Sequence, residues 1–404
     1  MLKFTNMLQT SDALNRVTES ATIKMAQLSR DLAAKGVNVI SLSLGEPDFN
    51  TPKHIKEAAK AAIDSGKYDS YSPISGYLDL KQAICEKLKR DNNLEYKPEN
   101  IVVSTGAKQS LANLFIGFLN PGDEVVIPAP FWVSYPEQVK LCGATPVYIP
   151  TSVDADFKMT AEQLENAITP KTKFLVYSSP SNPTGSVYTK EEIESFVAVL
   201  ERHPHVYVIS DEIYEHINYT GKHVSIAEFP GMKDRTIIVN GQAKGYAMTG
   251  WRIGYIAAPA YIAKACDKLQ GQITSGTNSV AQHATITALL GDQEPTHQFR
   301  LAFEKRRDLV LEMLKEIPNV KCNKPQGAFY VFPDMSAYFG KDFNGEMIKD
   351  ADDLCLYLLH EGHVAAVSGT GFGAPECIRF SYAASEENLT EAFRRVKAAL
   401  EKLA

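Results

Sequence analysis

From about residue 100 the chain alternates short apolar runs with longer stretches whose apolar residues recur at helical spacing. IVVS (101–104) precedes KQSLANLFIGFL (108–119), whose spacing suits a helix. EVVIPA (124–129) predicts a strand stopped by proline. FLVYS (174–178), VYVIS (206–210), TIIVN (236–240) and IGYIAA (253–258) are further runs rich in β-formers. Thr160 with Gln163, and Thr189 with Glu192, show the capping-box spacing in which each side chain satisfies the other's backbone N–H at a helix start. Strands that alternate with helices predict an α/β fold with a mainly parallel central sheet covered by helices on both faces. The final ninety or so residues read differently: GAFYVFPD, a helix near 351–362, VAAV, IRFSYA and a closing helix over 385–402 suggest a smaller α+β domain. Residues 15–45 are expected to pack with it. The expected division is a large domain over 46–310, and a small domain built from 1–45, including an N-terminal arm, and 311–404.

Composition narrows the class. A length of 404 residues allows two or three domains at about 150 residues each. The net charge of −6 argues against a general nucleic-acid binder, which needs a basic surplus. No window approaches 18 uninterrupted apolar residues, so no membrane span is expected, and the first sixteen residues hold no apolar core of signal-peptide length. The six cysteines show no C-x-x-C spacing, which predicts neither a zinc site nor a disulfide framework and fits a reducing cytoplasm.

Candidate chemistry can be chosen by place, because open parallel sheets bind ligands beyond the carboxyl ends of their strands. IVVS is followed by Ser104-Thr105-Gly106-Ala107-Lys108 and a helix, FLVYS by a turn containing Asn182, VYVIS by Asp211-Glu212-Ile213-Tyr214, and TIIVN by Gly241-Gln242-Ala243-Lys244. Each has an ordinary reading: Ser104 or Thr105 as a helix cap, Asp211 as a cap for EIYEHI, Lys244 as a surface lysine, Asn182 as a turn residue before proline. Their joint placement on one rim favours chemistry. A helix start suited to an anion, an acid and a lysine together match the needs of pyridoxal 5′-phosphate. The Gly369–Gly373 run has no helix pattern directly after it, so a dinucleotide site is poorly supported.

The segment Gly241-Gln242-Ala243-Lys244-Gly245-Tyr246-Ala247-Met248-Thr249-Gly250-Trp251-Arg252-Ile253-Gly254 resembles the cofactor-attachment motif of class I pyridoxal-phosphate-dependent aminotransferases. Six more stretches support the resemblance: Ser43–Phe49, Tyr71-Ser72-Pro73 with Gly76, Pro130–Pro136, Ser181–Gly185, Ser210–Tyr214 and Ile378–Ser381. The nearest match is the bacterial aspartate aminotransferase subgroup often called Ib. Gln242 departs from the apolar or small residue common there.

The resemblance implies a fold-type-I transferase and a role for each matching residue. Lys244 holds the cofactor as a Schiff base and moves the substrate proton. Asp211 pairs with the pyridine nitrogen, Tyr214 and Asn182 bond the ring's phenolic oxygen, and Trp132 stacks on the ring. Gly106, Ala107 and Arg252 hold the phosphate, with Lys108 beside them, and Tyr71 reaches the phosphate of a second subunit, making a homodimer with shared sites. Arg379 grips the substrate α-carboxylate, helped by Asn182, Trp132 and Gly45, while Lys108 meets a distal carboxylate. Cis peptides are implied at Ala129–Pro130 and Asn182–Pro183.

The implied activity is transfer of an amino group between a dicarboxylic amino acid and a 2-oxo acid. Relatives that use prephenate carry a lysine shortly before the S-A-T run; here Thr18 and Glu19 precede Ser20-Ala21-Thr22, which counts against prephenate. Alternatives are a class I aminotransferase for alanine, aromatic or broad substrates, a carbon–sulfur lyase on the same fold, or a catalytically silent binding module. The presence of Lys244 counts against the last, and the missing G-x-G-x-x-G against a dehydrogenase. Glu46, Asp48 and Glu212 are expected to be structural caps or ion pairs.

Overall fold

The computed structural model describes residues 8–403; the start of the expected N-terminal arm, residues 1–7, and residue 404 lie outside the described residues. Seven strands form the main sheet: β1 (Ile101–Ser104), β2 (Glu124–Ala129), β3 (Thr145–Pro150), β4 (Thr172–Ser178), β5 (Tyr207–Asp211), β6 (Thr236–Gly241) and β7 (Gly254–Ala257). Their spatial order is β1-β7-β6-β5-β4-β2-β3. All neighbours run parallel except β7, which lies antiparallel to both β1 and β6. Periodicity predicts β7 as a strand but carries no sign of its direction.

The strands read as continuous apolar runs because both faces are buried. On one face Val125, Ile127, Val176, Val239 and Ile256 pack with Leu111, Leu114 and Phe115. On the other, Val126, Leu175 and Val208 meet Ile193, Phe196 and Leu200, while Val103, Ile238 and Tyr255 meet Leu80, Ile84 and Leu88. The helices that supply these layers include α1 (Leu78–Asn92), α2 (Ala107–Phe118), α3 (Ser134–Leu141) and α4 (Lys190–Arg202). Both expected capping boxes are present, at Thr160/Gln163 and Thr189/Glu192.

A long helix, α5 (Glu294–Lys315), leads out of this block. It packs with α6 (Ala351–Glu361) and α7 (Glu386–Leu400) around a second core that contains Phe303, Leu354, Leu358 and Phe393. A small antiparallel sheet, β8 (Tyr330–Val331), β9 (Val367–Ser368) and β10 (Ile378–Ser381), lies in the order β9-β10-β8. The N-terminal segment joins this part of the molecule: Ile40–Ser41 pair in parallel with Val364–Ala365, Ser381 N–H donates to Leu42 O, and Met25 and Leu42 enter the second core. Arg306 on α5 binds Asp48 through two hydrogen bonds of 2.7 and 3.0 Å, so Asp48 is an ion-pair residue. The cis peptides are Ala129–Pro130, Asn182–Pro183 and Ser179–Pro180, the last not implied by the resemblance.

One glycine sets how closely the sheet approaches the start of α2. Gly254 pairs with Ser104 in β1 and Gly241 in β6, and a Cβ there would collide with the backbone of Gly106 and Ala107. Gly254→Ala is therefore expected to displace the α2 start and to cost about 1–3 kcal/mol, the range for overpacking. Urea denaturation checks this; an unchanged midpoint would show that the contact relaxes freely.

Candidate active site

The carboxyl ends of β5 and β6 lie side by side, with Asp211 paired to Val239. Asp211 closes β5 and is 5% exposed. No helix follows it: Oδ1 accepts the Ile213 N–H at 3.3 Å in a turn, so it does not cap a helix. Oδ2 accepts the Tyr135 hydroxyl at 2.6 Å. Burial pushes the Asp211 carboxyl up to about 6, opposed by the Tyr135 and Ile213 donors and by the Lys244 charge, with Glu212 adding to the rise.

Lys244 stands three residues beyond β6 and donates from Nζ to the Gly45 carbonyl. It opens onto a cavity of about 460 Å³. Burial pulls its ammonium down to about 8, with Glu46 and Asp211 opposing and the Arg379 and Arg252 charges assisting. Its loop carries two left-handed residues, Ala247 (φ 53°) and Arg252 (φ 57°). Such conformations are uncommon away from glycine and concentrate where surrounding structure holds a functional segment in place.

At the far end of the cavity α2 begins. Its cap is Gly106 (φ 79°), not Ser104 or Thr105: the Ser104 hydroxyl is committed to Gln270 at 2.7 Å, and the Thr105 hydroxyl to Thr277 at 3.2 Å. The first turn of a helix leaves N–H groups unpaired, and its dipole favours an anion. The Arg252 guanidinium comes so close that a Cβ on Gly106 would collide with it. Helix start and cation thus form one anion cradle, with Ala107 on the cavity wall and Gly106 just behind.

The opposite wall comes from the small sheet. Arg379 on β10 is 2% exposed and donates to Asn182 Oδ1 at 2.9 Å and to the Ser43 carbonyl at 2.6 Å. Its Nε has no partner, and among the described residues no carboxylate pairs with it. It lies over the Tyr330 ring, 4.6 Å from the centroid. Tyr330 shares a 2.7 Å hydrogen bond with Tyr214 and abuts Gly45 so tightly that a Cβ there would strike its hydroxyl. Lys108 extends over Trp132, its Nζ 5.0 Å from the ring, and burial lowers its ammonium.

Ten of the twelve residues singled out from sequence line this single cavity. Gly106 forms its backing, and Tyr71 lies outside it, 99% exposed. Tyr135, Tyr330, Ser20, Thr22 and Ile23 also line it though the sequence assigns them no role, and so does Glu46, expected to be a structural cap or ion pair. Tyr135 had a local signal: it follows Trp132 by three residues at a helix start, and the two rings meet edge-on at 5.4 Å. Tyr330 had none, since 116 residues separate it from Tyr214. Glu212 is structural, accepting the hydroxyls of Ser210 and Ser225 at 3.0 and 2.6 Å.

A family model described as "Aminotransferase class I and II" matches residues 37–396. A probable aspartate/prephenate aminotransferase of Rhizobium leguminosarum bv. phaseoli is 48% identical over 96% of this chain and 97% of its own length. An aspartate aminotransferase of Bacillus subtilis is 46% identical over 96% and 98%. Among solved structures, the aspartate aminotransferase of Rhizobium meliloti superposes with a TM-score of 0.94 at 43% identity, covering 98% of this chain and 100% of that one. The Thermus thermophilus aspartate aminotransferase with maleate gives 0.91 at 41% identity, covering 97% and 100%.

A hydrogen bond to the ionised form of an acid favours that form. Tyr135→Phe is therefore expected to raise the Asp211 midpoint above about 6. A ¹³C-carboxyl titration of the cofactor-free protein, with the Asp211 signal assigned by its loss in Asp211→Asn, reads this directly. An unchanged midpoint would contradict the role given to the phenol.

Proposed function

The chain belongs to the class I and II aminotransferases, a pyridoxal-5′-phosphate-dependent family, and from that premise we propose that it is an aspartate:2-oxoglutarate aminotransferase. The residues present fit the cofactor. Gly106 lets the Arg252 cation, and Gly254 lets the sheet, close up against the start of α2, so cation and unpaired helix N–H groups converge, which suits a phosphate. Lys244 and Asp211 supply an amine and a buried acid in the same cavity.

When bound, the cofactor supplies an electron sink for the charge left on a substrate carbon as its proton departs. Lys244 is the amine that would hold it. With its nitrogen free, Lys244 would take the α-proton as general base, and burial, which lowers its ammonium to about 8, favours the unprotonated form that does so. Asp211 would pair with the ring nitrogen and keep it protonated. Tyr214 and Asn182 would bond the ring oxygen, Trp132 would stack on the ring, and Gly106, Ala107 and Arg252 would hold the phosphate, with Lys108 beside them.

The observation that carries the substrate reading is Arg379. A buried guanidinium without a carboxylate partner is expensive, and a substrate α-carboxylate relieves it. Asn182, Trp132 and Gly45 border the same space. Lys108, on the cavity wall, suits the second carboxylate of aspartate or glutamate. The aspartate names of the relatives and the maleate bound by the Thermus protein, a four-carbon dicarboxylate, support this. Four relatives carry prephenate in their names, but no lysine directly precedes Ser20-Ala21-Thr22 here.

We read residues 46–310 as the cofactor-binding domain and 1–45 with 311–404 as the small domain, supported by the pairing of Ile40–Ser41 with Val364–Ala365. A homodimer is supported by Tyr71, which is fully exposed outside its own cavity and so available to a partner's. No described helix is long and apolar enough to cross a membrane, and six free cysteines support the cytoplasm.

Arg379→Leu is expected to lower kcat/KM about a hundredfold or more for every amino acid, since all share the α-carboxylate. Lys108→Ala is expected to lower it about tenfold for aspartate and glutamate while sparing alanine. Steady-state kinetics with the three donors check both. Equal losses for alanine and aspartate in Lys108→Ala would overturn the dicarboxylate assignment.

A further inference from the structure

The molecule buries a second pair of charges that the chemistry above does not use. Lys87 on α1 and Glu215, four residues past Asp211, have side chains only 1% and 4% exposed. The ammonium donates to Glu215 Oε1 and, at 2.8 Å, to Asn92 Oδ1. Glu215 Oε1 also accepts from Asn240 Nδ2 at 2.7 Å, and Oε2 from Asn92 Nδ2 at 3.1 Å. Asn240 Oδ1 in turn accepts the Gly241 N–H at 2.7 Å. Burial pushes the Glu215 carboxyl up, but the charges of Lys87, His216 and His223 outweigh it and hold the group well below the usual carboxylate range.

Stability alone does not explain such a pair. Withdrawing two ions from water costs several kcal/mol each, and a well-packed apolar pair of the same volume is commonly as stable or more so. Its attachments are more telling. Glu215 directly follows Tyr214. Asn240 is the penultimate residue of β6, four residues before Lys244. His216, next in the chain, packs on the Lys244 loop: a Cβ on Gly245 would lie 2.8 Å from His216 Cβ, and the His216 ring meets Tyr246 edge-on at 5.2 Å. One carboxylate therefore ties α1 to the two segments that carry Tyr214 and Lys244, whose Nζ lies 5.9 Å from the Tyr214 ring centroid.

We propose that Glu215, paired with Lys87, is a positioning residue that fixes the Tyr214 segment against the Lys244 segment and so sets the placement of phenol and amine around the cofactor. This rests on the reading of Tyr214 and Lys244 as cofactor-binding groups. The charges belong to the register of two loops that must agree, a use in which buried polar groups are well attested.

The test is Lys87→Met/Glu215→Leu in the holoenzyme, which removes both charges and nearly keeps the volume. Three quantities are read: the melting temperature, the pH midpoint of the visible absorbance change that follows the proton on the Lys244 nitrogen, and kcat and KM for aspartate. A loosened Tyr214 stabilises charge on the ring oxygen less, so the nitrogen holds its proton more tightly and the midpoint rises by about half a pH unit or more. With the reacting groups misplaced, kcat falls about tenfold or more while KM stays within about twofold. A folded double variant with wild-type midpoint and kcat overturns the proposal; so does one that only melts earlier. Should the double variant not fold, Asn240→Ala unties the Lys244 side alone and must raise the midpoint likewise, an unchanged midpoint again overturning the proposal. A wild-type protein with no visible band after addition of pyridoxal 5′-phosphate sinks the cofactor reading instead, and the proposal with it, before any variant is made.

Discussion

Lys244 and Asp211 stand beyond the ends of neighbouring parallel strands, and both are shielded from bulk water. Burial disfavours the charged form of each: it lowers the lysine toward 8 and raises the aspartate toward 6. Unopposed, burial would take the charge from the acid, which needs it, and leave the amine neutral, the form that accepts a proton. The rest of the site answers that constraint. Tyr135 donates to Asp211, while the cations Arg252 and Arg379 keep the lysine low. Amine and acid thus stay near the pH at which proton transfer is efficient.

The same logic orders the two ends of the cavity. The start of α2 with Arg252 makes one cationic end, and Arg379 on the small sheet makes the other. Arg379 is held by a side-chain amide and a backbone carbonyl, neither of which neutralises it. A ligand with a phosphate at one end and a carboxylate at the other satisfies both. The N-terminal segment contributes Ser20, Thr22, Ile23, Leu44 and Gly45 to the cavity lining, while Asp48 anchors it to α5 through Arg306. These contacts place Arg379 of the small sheet on the same cavity as Lys244, beyond β6 of the main sheet.

Much of this was legible from residue pattern because parallel strands are buried on both faces and read as unbroken apolar runs, so their carboxyl ends can be located. Asn182, Asp211 and Lys244 follow from those ends. The direction of β7 was not legible, because an apolar run reads the same either way. The ordinary reading of Ser104 or Thr105 as the α2 cap fails: local rules favour a hydroxyl there, but the close approach of Arg252 leaves room only for glycine at 106. Tyr330 and the Lys87–Glu215 pair are joined to the site only in space, across 116 and 128 residues. Seven sequence motifs of a known family carried the residue roles further than pattern alone.

The central claim is that one cavity transfers an amino group by using Lys244 as base and Arg379 as carboxylate anchor, with dicarboxylic substrates preferred. Rapid mixing of the pyridoxal-phosphate-loaded protein with one amino acid and no oxo acid tests it most directly, with the visible absorbance followed through a single half-reaction. The account predicts rapid loss of the visible band with aspartate and glutamate, much slower loss with alanine, phenylalanine or the amino acid formed from prephenate, and recovery on adding 2-oxoglutarate. A band unmoved by every amino acid, or lost fastest with alanine or phenylalanine, would contradict it.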